Sequence, residues 1–351
     1  MPRLRQPMLG ILASLLVIGL SLLLISMLDW PLFRDWVSYY LVGTVPFAFL
    51  VAIFWRGEHP RSVAALPQPG RGLAFVGITL VVAAVVAGLH LVTIGGGVTP
   101  PTPFVAQCLI GSVPIAFVLM TLWGGWPFSL VRSPMLGGAL LLVVAYGLNA
   151  LLFRTLSDFG WLVGAPPYVE SLDPKGPITS WVVLVVLVTT MAAALLLLHL
   201  DLWPLSRSDQ LMRQPLLGLV GTLIAFVIAL VVVLWLGPSF GLAPPGVLAT
   251  ITAPFLFGSI VVLSMLEGTA TGGLRQPVRG LVSAGLALLV GVVLARVYVA
   301  LSGTLSGELY QGAPVWELEV WLASALLGVT FPLLSFHADF FRLWPLRRST
   351  D

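Results

Sequence analysis

Ten long apolar stretches constrain this chain more than any other feature of its sequence. Each is long enough to cross about 30 Å of hydrocarbon as an α-helix, which takes roughly 20 residues. Backbone groups in lipid must bond within the chain, and these stretches lack the alternation of membrane strands. The sequence therefore predicts an all-α integral membrane protein with ten transmembrane helices. The stretches lie at residues 8–28, 36–56, 71–92, 104–124, 135–154, 179–200, 216–236, 247–267, 278–300 and 318–341.

Composition excludes several other classes of protein. Only 9% of the residues are charged, against about 25% in soluble domains, so a soluble globular protein is excluded. The connecting segments are too short for a soluble domain, and we expect a single membrane domain over residues 1–351. The net charge of +3 comes without a basic stripe, so the lipid bilayer is an expected partner and nucleic acid is not. The lone cysteine, Cys108, excludes an internal disulfide.

The five odd-numbered predicted helices open with a shared signature, in which proline is followed three residues later by glycine. Proline is tolerated at the first helical position, and an arginine at the boundary can reach lipid headgroups. The glycine lets a neighbouring helix approach closely. We interpret the signature as a device for packing and topology. Its copies are Arg5-Gln6-Pro7 with Gly10, Pro67-Gln68-Pro69 with Gly72, Arg132-Ser133-Pro134 with Gly137, Arg213-Gln214-Pro215 with Gly218 and Arg275-Gln276-Pro277 with Gly280.

Four of the even-numbered predicted helices carry a proline near the middle of the membrane. A serine or threonine stands two positions before each of these prolines. A proline inside a membrane helix kinks it or frees a backbone carbonyl. Evolved helix shape is the simpler interpretation, and carbonyls offered to a solute along a permeation path are the alternative. The candidate solute-path prolines are Pro46, Pro114, Pro254 and Pro332.

Together the two signatures predict five parallel repeats of a two-helix hairpin. The third unit is the longest, because it carries an insertion between about residues 155 and 178. All five hairpins would cross the membrane in the same direction, unlike the inverted repeats of many secondary transporters. The predicted units span approximately residues 3–62, 63–130, 131–209, 210–272 and 273–345.

The distribution of basic residues predicts the orientation in the membrane. Thirteen of the 17 lie at the N-terminus, at the C-terminus or in loops that follow even-numbered helices. The positive-inside rule therefore places both termini in the cytoplasm. The arginine bias and the high hydrophobic content suggest a bacterial inner membrane. The thirteen are Arg3, Arg5, Arg56, Arg61, Arg71, Arg132, Arg207, Arg213, Arg275, Arg279, Arg342, Arg347 and Arg348.

Three polar residues near the outer ends of odd-numbered helices are further candidates for a solute path. His90 and Arg296 lie near the outer ends of the third and ninth helices, and Asn149 lies within the fifth. Ionisable side chains at membrane depth are costly, so they are functional candidates by default. The simpler interpretation is snorkelling at a helix end. The alternative is an entrance for a polar or anionic solute.

Two His-x-Asp pairs near the cytoplasmic ends predict a second kind of site. His199 and His337, with Asp201 or Asp339, would hold a haem or a divalent metal if their helices met at this depth. Within each pair the two side chains lie about 200° apart on a helix, so one pair alone cannot form the site. The simpler interpretation places both histidines at the membrane interface and pairs Asp339 with Arg342.

Three functions remain open from the sequence, and catalytic residues cannot be named. The first is a permease for a small solute, which requires no cofactor. The second is a membrane-embedded enzyme or redox subunit that uses the haem or metal site on an apolar substrate. The third is a non-catalytic subunit that binds membrane-protein partners through small-residue helix faces. These faces are Gly10 with Ser14, Gly218 with Thr222 and Gly280 with Ala284.

Overall fold

The computed structural model describes residues 5–163, 168–313 and 315–347, so Arg3 and Arg348 lie outside it. The described chain is almost entirely helical, and ten of its helices are long and apolar enough to cross a membrane. The predicted all-α membrane class and the ten helices are confirmed. They are α1 (Met8–Ser26), α2 (Trp30–Phe54), α3 (Gly70–Thr93), α4 (Pro103–Thr121), α5 (Pro134–Leu156), α6 (Ser180–His199), α7 (Leu216–Ser239), α8 (Pro244–Met265), α9 (Val278–Ser306) and α10 (Glu317–Phe340).

Within the described residues, paired β-strands occur only in the insertion between α5 and α6. There β1 (Ser157–Asp158) pairs in parallel with β2 (Ile178–Thr179). Asp173 of the same segment is buried, and its Oδ2 accepts a hydrogen bond of 2.8 Å from the backbone N–H of Val169. Burial raises the pKa of Asp173 above its usual value, and the hydrogen bond opposes that rise.

The helix boundaries differ from the predicted ones in two informative places. Helix α2 begins at Trp30 because Arg34 and Asp35 pair with each other, with Nε and Oδ1 2.5 Å apart, which reduces the cost of including two charges. The signature proline is the residue before the first helical one in four odd-numbered helices: Pro7, Pro69, Pro215 and Pro277. Only Pro134 occupies the predicted first helical position.

The even-numbered helices form the inside of the bundle. Between 67% and 78% of each even-numbered span is buried, against 28% to 44% of each odd-numbered span. Helix α2 packs on α4, α4 on α6, α6 on α8 and α8 on α10, and α10 packs back on α2. The five even-numbered helices therefore form a closed ring, which we call the inner ring.

The odd-numbered helices lie outside the inner ring. Each packs along the even-numbered helix that precedes it around the ring: α3 on α2, α5 on α4, α7 on α6, α9 on α8 and α1 on α10. Their outward faces carry exposed large apolar side chains, such as Leu20, Val81 and Leu289. These faces are suited to contact with lipid, whereas the same residues in water would form large apolar patches.

Helices α8 and α9 approach each other most closely at two glycines. A Cβ built on Gly258 would lie 1.8 Å from the carbonyl oxygen of Ala287. A Cβ built on Gly291 would lie 1.8 Å from the carbonyl oxygen of Pro254. Both obstacles are backbone atoms, so only glycine permits this crossing, as is typical of small-residue contacts between membrane helices.

Candidate functional site

The glutamines of the odd-helix signature dock each helix start on the end of an even-numbered helix. Each side-chain Nε2 donates to a carbonyl near that end, and its Oε1 accepts from the backbone N–H of the signature glycine at 3.0 to 3.2 Å. The sequence pattern predicts roles for arginine, proline and glycine, whereas this role of glutamine is visible only in the structure. The donor bonds are Gln6 to Met265 (3.0 Å), Gln68 to Phe340 (2.7 Å), Gln214 to Leu122 (2.8 Å) and Gln276 to His199 (3.1 Å).

The start of α5 has Ser133 in place of glutamine. Here the hydrogen-bond donor lies beside the even-numbered helix, and the acceptor lies at the start of the odd-numbered helix. Trp55, which directly follows α2, donates its indole N–H to the carbonyl oxygen of Pro134 at 2.8 Å. Helix α5 is therefore held at the end of α2. The other starts are held at the ends of α8, α10, α4 and α6, so all five even-numbered helices are used.

At the small-residue faces predicted to bind partner proteins, the glycines pack against other parts of the same chain. Gly10 faces the carbonyl of Met265, and Gly280 faces the carbonyl of His199. Gly218 faces the ring of Trp123, whose indole N–H donates to Thr222 Oγ1 at 3.0 Å. These glycines are therefore packed within the chain, and partner proteins stay a prediction.

Each even-numbered helix ends in two consecutive residues with left-handed backbone geometry. Their φ angles lie between 49° and 74°. The second residue of each pair donates its N–H to a carbonyl five or six residues earlier and closes the helix. The pairs are Arg56 with Gly57, Gly124 with Gly125, Asp201 with Leu202, Glu267 with Gly268 and Arg342 with Leu343.

Near three of the predicted prolines, α-helical hydrogen bonding in the inner ring is interrupted, by turn residues in α2 and by π-helical turns in α8 and α10, and we call these places breaks. Helix α2 is interrupted at residues 43–44, immediately before Pro46. In α8, the π-helical turn Leu248–Thr252 precedes Pro254, and in α10 the turn Ser324–Thr330 precedes Pro332. Helix α4 continues past Pro114. All four prolines are buried.

The hydroxyl two positions before each proline has a bonding partner in every case. Thr44 and Ser112 donate to carbonyls three residues earlier, at 2.5 and 2.6 Å, and Thr330 donates to the carbonyl of Ala325 at 2.7 Å. Thr252 bonds the hydroxyl of Thr189 on α6 at 2.9 Å. The hydroxyls of Thr44 and Thr330 thus bond carbonyls beside the breaks, which lowers the cost of interrupting a helix in lipid.

Three phenylalanine rings join neighbouring helices of the inner ring close to the breaks. The centroid of Phe49 on α2 lies 5.3 Å from that of Phe117 on α4 and 5.9 Å from that of Phe331 on α10. All three side chains are buried. They form a continuous aromatic contact across three helices, which we call the aromatic cluster.

A buried polar cluster lies between α3, α4 and α5. His90 is 7% exposed, its Nδ1 lies 2.9 Å from the carbonyl of Val86, and its ring meets the edge of Tyr146. Asn149 is fully buried and donates from Nδ2 to the carbonyl of Cys108. Among the described residues, Asn149 Oδ1 and the side-chain oxygen of buried Gln107 have no hydrogen-bond partner. Buried oxygens of this kind are costly unless something bonds them.

The polar cluster includes two of the three polar residues predicted for the solute path. His90 and Asn149 lie on helices that Tyr146 brings together. Arg296 is exposed on α9, which packs on α6, α8 and α10. Gln107 and Tyr146 were missed because each is a single polar residue in an apolar stretch, with no partner at a helical spacing.

His199 is engaged at a junction of three helices. Its Nδ1 lies 2.8 Å from Ser283 Oγ on α9, and its Nε2 lies 3.1 Å from Ser259 Oγ on α8. Both ring nitrogens are therefore bonded to serine hydroxyls and neither is directed to a metal or haem. Asp201 lies beyond the end of α6, where Gln276 donates to its Oδ2 at 2.8 Å.

The remaining members of the predicted metal site are also separate. Asp339 accepts from Ser335 Oγ at 2.8 Å, and no ion pair with Arg342 occurs in the described chain. His337 Nε2 is buried without a partner among the same residues. Across residues 5–163, 168–313 and 315–347, no three His, Cys, Asp or Glu side chains are grouped so as to hold a metal ion. The geometry thus gives the metal or haem hypothesis no support.

Comparison with protein-family models, with curated proteins and with solved structures finds no match to this chain. Two features of the structure bear on the function: the proline-associated breaks in the inner ring, and the polar cluster between α3, α4 and α5.

Proposed function

We propose that this chain is a permease for a small solute. The observation that carries the proposal is the set of breaks at Pro46, Pro254 and Pro332 in helices of the inner ring. Solute sites in many transporters are formed by discontinuous membrane helices, because broken backbone at membrane depth is tolerated only inside protein or beside a cavity. Single π-helical turns are likewise frequent at functional sites.

The polar cluster favours an uncharged solute that forms hydrogen bonds. The cluster includes the Tyr146 hydroxyl and the Asn149 amide, and Gln107 on α4 adds a second buried amide. His90 contacts the carbonyl of Val86 through Nδ1, which makes that nitrogen the donor and fits a neutral imidazole. The free oxygens of Gln107 and Asn149 would accept hydrogen bonds from the solute.

We further propose that the chain is a single domain of five parallel helical hairpins. Support comes from the recurrence of one docking contact at the starts of α1, α3, α7 and α9. The paired left-handed residues at the end of every even-numbered helix recur in the same way. The basic residues favour cytoplasmic termini, and the composition favours a bacterial inner membrane.

Reconstitution tests the permease proposal. The purified chain is placed in phosphatidylcholine vesicles, and solute entry is followed by stopped-flow light scattering after an osmotic step with urea, glycerol, erythritol or alanine. At least one solute is expected to enter faster than in protein-free vesicles. Asn149→Leu should slow the entry of that solute about tenfold, because the solute loses one hydrogen bond to a buried polar group. Thr155→Val, an exposed position on the same helix, is the matched control.

A second variant tests the aromatic cluster as the closed part of the path. Phe117→Ala removes the ring that contacts Phe49 and should raise entry of the same solute. If the wild-type chain admits none of the solutes faster than protein-free vesicles, the permease proposal is wrong. If the solute enters faster but Asn149→Leu and Thr155→Val behave alike, the polar cluster is not on the path.

A further inference from the structure

A cavity of about 500 Å³ lies where the start of α3 meets the ends of α8 and α10. Three arginines line it, one from the start of α3 and two from the segment that follows α10: Arg71, Arg342 and Arg347. The single acidic residue in its lining is Glu267. The cavity therefore carries an excess of two positive charges, and it lies at the end of the bundle where basic residues are concentrated.

Arg71 is the buried member of this set. The residue is 6% exposed, and its guanidinium carbon lies 5.6 Å from the ring centroid of Phe75. One terminal nitrogen donates to the carbonyl of Gly57 at 3.0 Å. Its Nε has no hydrogen-bond partner in the described part of the chain. A buried guanidinium with a free donor is costly unless an acceptor is bound, so this side chain points to a ligand.

The other two arginines differ in whether an acidic side chain neutralises their positive charge. Arg347 pairs with Glu267, with Nη2 and Oε1 2.6 Å apart. Arg342 is exposed, has a left-handed φ of 53°, and forms no ion pair with the described residues. Arg347 thus neutralises the charge of Glu267, and the positive charges of Arg71 and Arg342 are available to an anion.

We infer that this cavity binds a phosphate group. Guanidinium groups bond phosphate oxygens strongly and with defined geometry, and three of them line this cavity. The rest of the lining includes Leu66, Phe341 and Trp344, which would contact the organic part of a phosphate ester. The phosphate belongs to the headgroup of an anionic phospholipid or to a soluble phosphate ester. The inference does not depend on the permease proposal.

Binding to the purified chain tests the inference and separates the two sources. Detergent-purified, delipidated protein is titrated with dioleoylphosphatidylglycerol in mixed micelles, with glycerol 3-phosphate and with inorganic phosphate, and binding is followed by microscale thermophoresis. Arg71→Gln and Arg342→Gln should each weaken binding about tenfold or more. Arg213→Gln, an exposed position at the start of another odd-numbered helix, should leave binding unchanged.

Each result of these titrations has a distinct meaning. Binding of the phospholipid alone identifies a headgroup site, and binding of the soluble phosphates as well identifies a site for free phosphate esters. Should Arg71→Gln fail to fold, Arg342→Gln decides the matter, because its side chain is exposed and lies beyond the end of α10. The inference is overturned if no probe binds the wild-type chain, or if Arg342→Gln and Arg213→Gln reduce binding equally.

Discussion

At the residue scale, the contact between α8 and α9 depends on the absence of a side chain at Gly291. Gly291→Ala places a methyl group against the carbonyl oxygen of Pro254, and the backbones must separate. The expected loss is about 3 kcal/mol in the free energy of unfolding, typical of overpacking against atoms that cannot move. Unfolding in detergent micelles by dodecyl sulfate measures it. Gly285→Ala on the same helix has open space and should change little.

Arg56 tests the left-handed turn at the end of an even-numbered helix. It is exposed and has a φ of 51°, a geometry that costs a residue with a Cβ about 1 kcal/mol relative to glycine. Arg56→Gly should therefore raise the free energy of unfolding by about that amount. Arg61→Gly, in a short helical segment, should lower it instead. Equal effects of the two substitutions would contradict this account of the turn.

His199 shows why single residues were hardest to predict from the sequence. The spacing of His199 and Asp201 suggested metal chemistry, and their opposite directions on a helix were recognised. The serines that bond His199 lie 60 and 84 residues later in the chain. Serine is common in membrane helices as a polar contact between them, and no local spacing marks these two as partners.

At the scale of the element, glutamine should hold the start of each odd-numbered helix. Gln214→Ala removes the donor to the carbonyl of Leu122 and the acceptor for the N–H of Gly218. Losing both bonds should lower the free energy of unfolding by about 2 kcal/mol. Gln210→Ala, four residues earlier in an exposed loop, is the matched control. Equal stability of the two variants would show that the docking contact contributes nothing.

The helices themselves were predictable because hydropathy reports their length directly. All ten apolar stretches became helices, and the largest shift in a start was at α2, where Arg34 and Asp35 neutralise each other. The π-helical turns were not predicted, since they depend on how α8 and α10 pack around Pro254 and Pro332. The packing role of the signature was predicted, but its glutamine was overlooked.

At the scale of the whole molecule, the orientation that we propose from the distribution of charge can be tested by labelling. The buried Cys108 is replaced by alanine, so that each variant contains one introduced cysteine for labelling. Glu308→Cys follows an odd-numbered helix, and Arg61→Cys follows an even-numbered one; both positions are exposed. With cytoplasmic termini, a membrane-impermeant maleimide should label Glu308→Cys in intact bacterial cells and Arg61→Cys only after lysis. The reverse pattern would invert the proposed topology.

The inner ring is the central claim, because the permease proposal rests on the breaks in helices that belong to it. No periodicity in the sequence shows that α10 returns to α2. The two helices meet where a Cβ on Gly328 would lie 3.3 Å from Cβ of Ser38, close to disulfide geometry. Ser38→Cys with Gly328→Cys, in a chain lacking Cys108, should form an internal disulfide on mild oxidation.

The measurement is the change in electrophoretic mobility after oxidation, with and without a protease site inserted in the loop between α5 and α6. A closed ring predicts that the cleaved halves stay joined until they are reduced. Halves that separate without reduction, while each single-cysteine variant folds normally, would contradict the ring and with it the proposed path.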